Sequence, residues 1–405
     1  MPIQIKPRAL TAFRRTTEVP SVAAKSLPQK YFIATELFAA EQKNIFSKQW
    51  LLVGHQSQIT KPGDYFVIEV AGESLIVIRD SKFEIRAFYN VCRHRGTRLK
   101  ENACGHSSTI QCPYHAWTYG LDGRLIGAPH MDEVPGFDKA DYPLHPVNLG
   151  VWEGFIFINL NDGEARLRSE ATARQRSGDF ISLERWFAPL KGKFSHWNMS
   201  ILRPAKRIEY DVHANWKLMF ENYSECYHCP GVHPMLSKVS PYDSAENDLA
   251  EGPFLGGFMK INKGKSLTMS GNACALQIEH EKEKESMQRV FYYSIFPNML
   301  LSLHPEYVMV HQLWPQSPER TMIVCDWFFH PDAFTREDFK PEDAIEFWDM
   351  TNKQDWHVCE LSQQGIASRA YQPGPYSSRE SIPAAWDRYY LSVLHESGPQ
   401  NRFRR

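Results

Sequence analysis

The sequence predicts an α+β protein in two parts: a small antiparallel β domain, then a larger domain in which long helices flank a second antiparallel sheet. Three observations lead there. The chain has 405 residues, beyond the roughly 250–300 at which a single hydrophobic core stops growing. From Trp50 onward, short β-rich runs are separated by Gly and charged turns. Beyond Ile181, β runs alternate with two long stretches whose apolar residues have helical spacing.

Residues 1–30 are rich in Pro, Lys and Arg and read as an arm, followed by a helical run from Ala34 to Gln49 with apolar Leu37, Phe38, Ile45 and Phe46. The segments DYFVIEV (64–70), ESLIVIRD (73–80) and EIRAFYN (84–90) read as strands, and β character resumes in VWEGFIFINL (151–160). The charged, Gly-punctuated run NDGEARLRSEATARQRSGDF then reads as a linker or an exposed insertion. In the second part IEYDV (208–212), RVFYYSIF (289–296), YVMVHQLW (307–314) and TMIVCDWFF (321–329) are expected to form one antiparallel sheet. Asn215–Cys229 and Glu342–Gln364 are the long helical stretches. The expected units are 1–49, an arm and helix packing on the larger domain, 50–165, and 181–405.

The net charge is −1, from 46 basic and 47 acidic residues, so no global field recruits nucleic acid or an anionic membrane. Small-molecule and protein partners are expected instead. No window approaches 18 uninterrupted apolar residues, and MPIQIKPRALTAFRR lacks the apolar stretch of a secretory signal. A soluble, cytoplasmic protein without a disulfide framework is expected. No Gly-rich phosphate loop is present, which argues against a nicotinamide or flavin domain within the chain.

Cys92-Arg93-His94 is followed, after 17 intervening residues, by Cys112-Pro113-Tyr114-His115. Two thiolates can hold one iron of a [2Fe-2S] cluster while two neutral imidazoles hold the other, which raises the reduction potential above that of an all-cysteine cluster. The set Cys92, His94, Cys112 and His115 therefore reads as a Rieske site. A structural zinc finger usually brings two cysteines on one knuckle and two histidines on another.

The segment 215–233 holds Glu225, His228 and His233. Three residues apart on a helix, Glu225 and His228 share a face, whereas His228 and His233, five apart, point in different directions. Pro230-Gly231 is expected to break the helix and bring His233 round. Two histidines need one carboxylate to complete the triad that leaves open positions on Fe2+ for oxygen. Asp355 is the expected donor, with Asp349 and Glu360 as competitors. Cys226 and Cys229, a Cys-x-x-Cys pair at the end of this segment, read as packed thiols.

With both motifs in place, the chain resembles the catalytic (α) subunit of Rieske non-heme iron oxygenases over nearly its whole length. The strings that carry the resemblance are Asn90–Gly96, Cys112–Trp117, the Tyr119–Gly123 hairpin, Asn215-Trp216-Lys217, Glu221-Asn222-Tyr223 and Gln364-Gly365. The resemblance implies a Rieske domain plus a helix-grip (START-like) catalytic domain of the kind shared with lipid-transfer proteins, in a ring-shaped C3 homotrimer. In such rings the cluster of one subunit faces the mononuclear iron of its neighbour, and a carboxylate, here Glu225, connects His115 to His228 of the next. Most ring-hydroxylating relatives carry aspartate at that position. Glutamate resembles the branch that oxidises carnitine, glycine betaine, choline or proline betaine, and residues 256–272 resemble the betaine demethylases.

The implied reaction draws electrons from NADH through a separate flavin (FMN) and iron-sulfur reductase, uses O2, and hydroxylates a C–H bond. On an N-methyl group this releases formaldehyde from a hemiaminal. The alternatives are an aromatic ring-hydroxylating α subunit and an electron carrier that has lost its iron. A cage of aromatics with a carboxylate selects a quaternary ammonium, and a purely apolar slot selects a ring.

Overall fold

A computed structural model describes residues 12–18, 24–161, 180–275 and 288–396. The chain divides into two compact units, residues 46–188 and residues 1–45 with 189–405. The linker reading over residues 162–179 lies outside the described residues.

The first unit is built from short antiparallel strands. Asp64–Val70, Glu73–Arg79 and Ile85–Tyr89 form a meander, which Cys104–His106 extends along its first strand. A second sheet joins Leu51–His55 to Asn148–Trp152 through Phe155–Asn159. The run 151–160 is therefore not one strand but part of a hairpin. Its two turn residues, Glu153 (φ 50°) and Gly154 (φ 85°), adopt the positive dihedrals that a two-residue hairpin requires. Ile110–Gln111, Thr118–Tyr119 and Leu125–Gly127 form a small third sheet, and between them and the meander lies a core of Ile76, Ile78, Phe88, Trp117 and Tyr119.

The second unit carries an eight-stranded antiparallel sheet in the order Arg14–Arg15, Glu246–Leu249, Phe254–Lys260, Arg289–Ile295, Met299–Leu303, Tyr307–Ser317, Arg320–Phe329 and Arg203–Val212. The four expected strands are all here. Sequence reading missed Met299–Leu303 because it is uniformly apolar and follows its neighbour after a tight turn. It missed Phe254–Lys260 because two glycines sit inside it. There Cβ atoms on Gly256 and Gly257 would meet the backbone of Tyr292 and Glu246.

The long helix Pro341–Ile366 buries Ala344, Phe347, Trp348, Thr351, Asn352, Trp356, Cys359 and Gln363, a stripe at intervals of three and four. A second helix, Trp216–Tyr223, starts with the Asn215 side chain accepting from the Lys217 amide. Its buried Lys217 donates to Glu41 at 2.6 Å, and Trp216 Nε1 and Tyr390 Oη donate to the same carboxylate. Glu41 ends the helix Thr35–Glu41, which continues as a π-helical turn, Gln42–Phe46, inside the expected helical run.

Candidate active site

Two loops of identical design hold the four cluster candidates in the first unit. In each, the amide four residues after the cysteine donates back to its carbonyl, Gly96 to Cys92 at 3.0 Å and Ala116 to Cys112 at 3.2 Å. Those closing residues have φ of 77° and 57°, which explains the glycine of the first loop. Cys92 and Cys112 are buried and unbonded. Burial, with Cys112 beside it, pushes the Cys92 thiol up despite the nearby Tyr119 hydroxyl. That hydroxyl lies 3.4 Å from the Cys92 sulfur. The imidazoles of His94 and His115 face each other with centroids 4.7 Å apart, and Trp117 stacks on His94 at 4.8 Å. His94 is exposed. Among the described residues, His115 Nδ1 is buried without a hydrogen-bond partner. Two facing sulfurs and an orphaned imidazole nitrogen fit a cluster held by two thiolates and two histidines.

In the second unit, three side chains converge. His233 Nε2 lies 2.8 Å from Asp355 Oδ1, His228 Nε2 lies 3.3 Å from that oxygen, and the two Nε2 atoms are 3.2 Å apart. The other ring nitrogens are committed: His228 Nδ1 to Glu225 Oε1 at 2.5 Å, His233 Nδ1 to Gln354 Oε1 at 2.8 Å. Both acceptors take a proton from Nδ1, which leaves each Nε2 lone pair aimed at the common centre, the orientation that outer partners give metal-ligating histidines. Burial works against charge on His228, yet the hydrogen bonds to Asp355 and Glu225 outweigh it and push the imidazole up to about 10. Burial also opposes charge on Asp355, but His228 and His233 hold its carboxyl below the usual range. A metal ion that binds between these groups takes the place of the Nε2 proton. The donor set fits a two-histidine, one-carboxylate ferrous centre.

Asp349 and Glu360 are engaged elsewhere. Asp349 accepts from Tyr210 and Lys353, and Glu360 accepts from the His213 amide. Only Asp355, among the three carboxylates weighed, reaches the histidines. Gln354 escaped sequence reading because adjacent helical positions point about 100° apart, and no pattern marks a partner that reaches His233 from the side.

Two local readings are corrected. The helix ends at Tyr223, before the histidines, and Pro230-Gly231 lie inside a short helical turn, Cys229–Val232. Proline at the first turn of a helix loses no hydrogen bond. His228 and His233 therefore bracket that turn, and Glu225 meets His228 through a tight turn in which its carboxylate also accepts from the Tyr227 and His228 amides. Cys226 and Cys229 are not separate thiols but a disulfide, with Cα atoms 5.0 Å apart, well within bonding range. Ending the helix at Tyr223 allows that approach.

Behind the centre, the face of the long helix that carries Asp355 also carries Trp348, seven residues or about two turns earlier. Around Trp348 stand His304 at 5.3 Å and Tyr292 at 6.3 Å between ring centroids, with Tyr223 5.9 Å beyond Tyr292. His304 stacks on Tyr307 at 4.1 Å, and neither of its nitrogens has a hydrogen-bond partner among the described residues. Glu306, on the same hairpin turn, is 1% exposed, with one carboxylate oxygen unpartnered. Burial, opposed by Ser266 and its own amide, pushes Glu306 up to about 7.

Comparison with known proteins covers both units. Residues 49–138 match the Rieske [2Fe-2S] domain, and residues 199–395 match the catalytic domain of ring hydroxylating alpha subunits. The class is thus an oxygenase subunit with a Rieske cluster domain and a non-heme iron catalytic domain. The glycine betaine monooxygenase oxygenase subunit of Chromohalobacter salexigens is 32% identical, over 87% of this chain and 82% of that one. The carnitine monooxygenase oxygenase subunit of Acinetobacter baumannii is 28% identical, over 86% and 87%. The solved structure of CntA, a quaternary ammonium Rieske monooxygenase, superposes with a TM-score of 0.74 at 25% identity, over 92% of this chain and 96% of that one. The chain belongs to the Rieske non-heme iron oxygenases, as an oxygenase subunit related to the betaine and carnitine monooxygenases, and is an oxidoreductase. Among the described residues, no helix is long and apolar enough to cross a membrane.

Proposed function

We propose that this protein is the oxygenase component of a monooxygenase that acts on a quaternary ammonium compound such as a betaine, with N-demethylation and formaldehyde release as the reaction. Cys92, His94, Cys112 and His115 hold the [2Fe-2S] cluster, and His228, His233 and Asp355 hold Fe2+. Bound there, the two iron centres supply stored electrons and the activation of O2. The chain's own residues do the rest. Glu225 holds the Nδ1 proton of His228 and serves as the bridge to His115 of a neighbouring subunit in a C3 homotrimer. Gln354 orients His233. A cytoplasmic reductase carrying FMN and an iron-sulfur cluster delivers electrons from NADH.

The observation that carries the substrate reading is the aromatic cluster behind the centre. The rings of Tyr223, Tyr292 and Trp348 pack in series, Trp348 Nε1 donates to Tyr307, and the buried Glu306 beside Tyr307 keeps one carboxylate oxygen without a partner among the described residues. Aromatic faces contribute roughly 0.5–2 kcal/mol per contact to a desolvated cation, and a buried carboxylate oxygen that lacks a partner gains one when a permanent cation enters. An apolar ring offers Glu306 nothing. The names of the relatives support the same substrate class.

The test is formaldehyde release and oxygen uptake by the iron-loaded protein with a reductase and NADH, across glycine betaine, choline, carnitine, proline betaine and simple aromatic acids. Formaldehyde coupled to oxygen uptake with one betaine is the expected result. Turnover confined to an aromatic acid overturns it.

A further inference from the structure

The disulfide between Cys226 and Cys229 encloses Tyr227 and His228, and its two sulfurs lie in different settings. Cys229 is 3% exposed, and its sulfur lies 3.9 Å from His228 Nε2, the nitrogen that faces His233 and Asp355. The Cys229 sulfur and one nitrogen from each histidine all lie within 4.8 Å of one another. Donors bound at 2.0–2.3 Å to one tetrahedral ion stand roughly 3.3–3.8 Å apart, so the 3.9 Å approach leaves only a small adjustment to be made. Cys226, by contrast, lines an open pocket of about 200 Å³ together with Glu225, Tyr227, Tyr242 and Arg15. A small thiol can reach it from there.

We propose that the Cys226–Cys229 bond controls the ligand set of the metal centre: closed, it withholds Cys229, and opened by a small thiol it delivers the Cys229 thiolate as a fourth protein ligand. The inference rests on the reading of His228, His233 and Asp355 as metal ligands. Opening is a two-electron exchange. One thiol attacks the Cys226 sulfur from the pocket and forms a mixed disulfide, with Cys229 as the leaving group. A second thiol then attacks the small-molecule sulfur of that mixed disulfide with Cys226 as the leaving group, which leaves both cysteines reduced and a small-molecule disulfide in solution. On binding an ion, Cys229 gives its proton to water.

The chemical consequence is a change of site class. Two histidines and a carboxylate leave positions open, whereas a fourth protein ligand makes the closed tetrahedral set of structural zinc sites. A thiolate also shifts preference toward thiophilic ions. The closed disulfide removes that competitor and protects sulfur that oxygen would otherwise attack.

The experiment is zinc-edge X-ray absorption on the full-length, cluster-containing protein, its mononuclear site stripped with a chelator and reloaded with Zn2+. The zinc edge does not see the cluster irons. A sulfur shell at about 2.3 Å is expected in thiol-reduced, desalted wild type and in Cys226→Ser in every redox state. It is expected to be absent from oxidised wild type and from Cys229→Ser. A shell of nitrogen and oxygen alone in Cys226→Ser overturns the proposal while leaving the triad intact as a metal site. Failure of all four samples to retain zinc overturns both.

Discussion

Glu225 and His228 are joined by a 2.5 Å hydrogen bond from Nδ1 to Oε1, within a turn that also ties the carboxylate to the Tyr227 and His228 amides. One side chain thus sets the tautomer of His228, its ring plane and the shape of the backbone that presents it. Glu225 also lines the open pocket, so it connects the metal-facing ring to the protein surface.

Glu225→Ala removes the acceptor and lets the His228 ring turn. Loss of an outer partner of a ligating histidine typically costs about 10–100-fold in metal affinity or activity. We expect a drop of that size in oxygen uptake, with the visible spectrum of the cluster unchanged. Glu225→Gln keeps an acceptor for Nδ1 without the charge. It should retain iron while slowing cluster reoxidation in a single-turnover mix, and equal rates for Glu225→Gln and wild type would remove the bridging role.

Asp355→Ala should lose the mononuclear iron and keep the cluster, as read by iron analysis beside the visible spectrum. Asp349→Ala and Glu360→Ala should keep both, because Asp349 binds Tyr210 and Lys353 and Glu360 binds a backbone amide. Iron loss in Glu360→Ala instead would reassign the third ligand.

The chemistry-bearing residues were legible because metal sites need fixed residue types at short spacing, and Cys92, His94, Cys112, His115, His228 and His233 form two such groups. The sheet was legible where strands carry β-branched and aromatic residues, as in 289–295 and 307–317. Three things were hidden. The disulfide depends on where one helix ends, and a cap at Ser224 leaves no sequence mark stronger than the helical pattern it interrupts. Gln354 and Glu306 stand on elements that pattern reading assigns only to packing. The Asn215-Trp216-Lys217 string was visible as a motif, but its reason lies 175 residues upstream of Trp216, in Glu41.

That reason is testable. Lys217 is wholly buried, and burial pulls its amine below the usual range while Glu41 supports the charge. Removing one partner of a buried pair leaves an uncompensated charge and costs about 3–5 kcal/mol. Lys217→Met should therefore lower stability by that amount in chemical denaturation, and Glu41→Gln in the same background should recover part of it. Additive losses in the double variant would show that the two residues act separately.

Glu306 yields a prediction in pH. Its raised pKa, about 7 against 4.5 for the free side chain, means the folded protein binds more protons than the unfolded chain between those values. The linkage sign follows: stability from this group falls as pH rises from 4.5 to about 7, and its cost is constant above. Cys274 and Tyr307 face the carboxylate without offering it a cation. A permanent cation supplies one, and it does so only when Glu306 is ionised. Affinity for a betaine, measured by calorimetry on the resting protein, should therefore rise as pH passes through 7, with proton release seen as a binding heat that changes with the buffer. Glu306→Gln should flatten the profile, and Trp348→Leu should weaken binding roughly 2–30-fold at every pH, the loss of one aromatic contact. A pH-independent affinity in wild type would place the cation away from Glu306 and leave the aromatic rings as its only recognition.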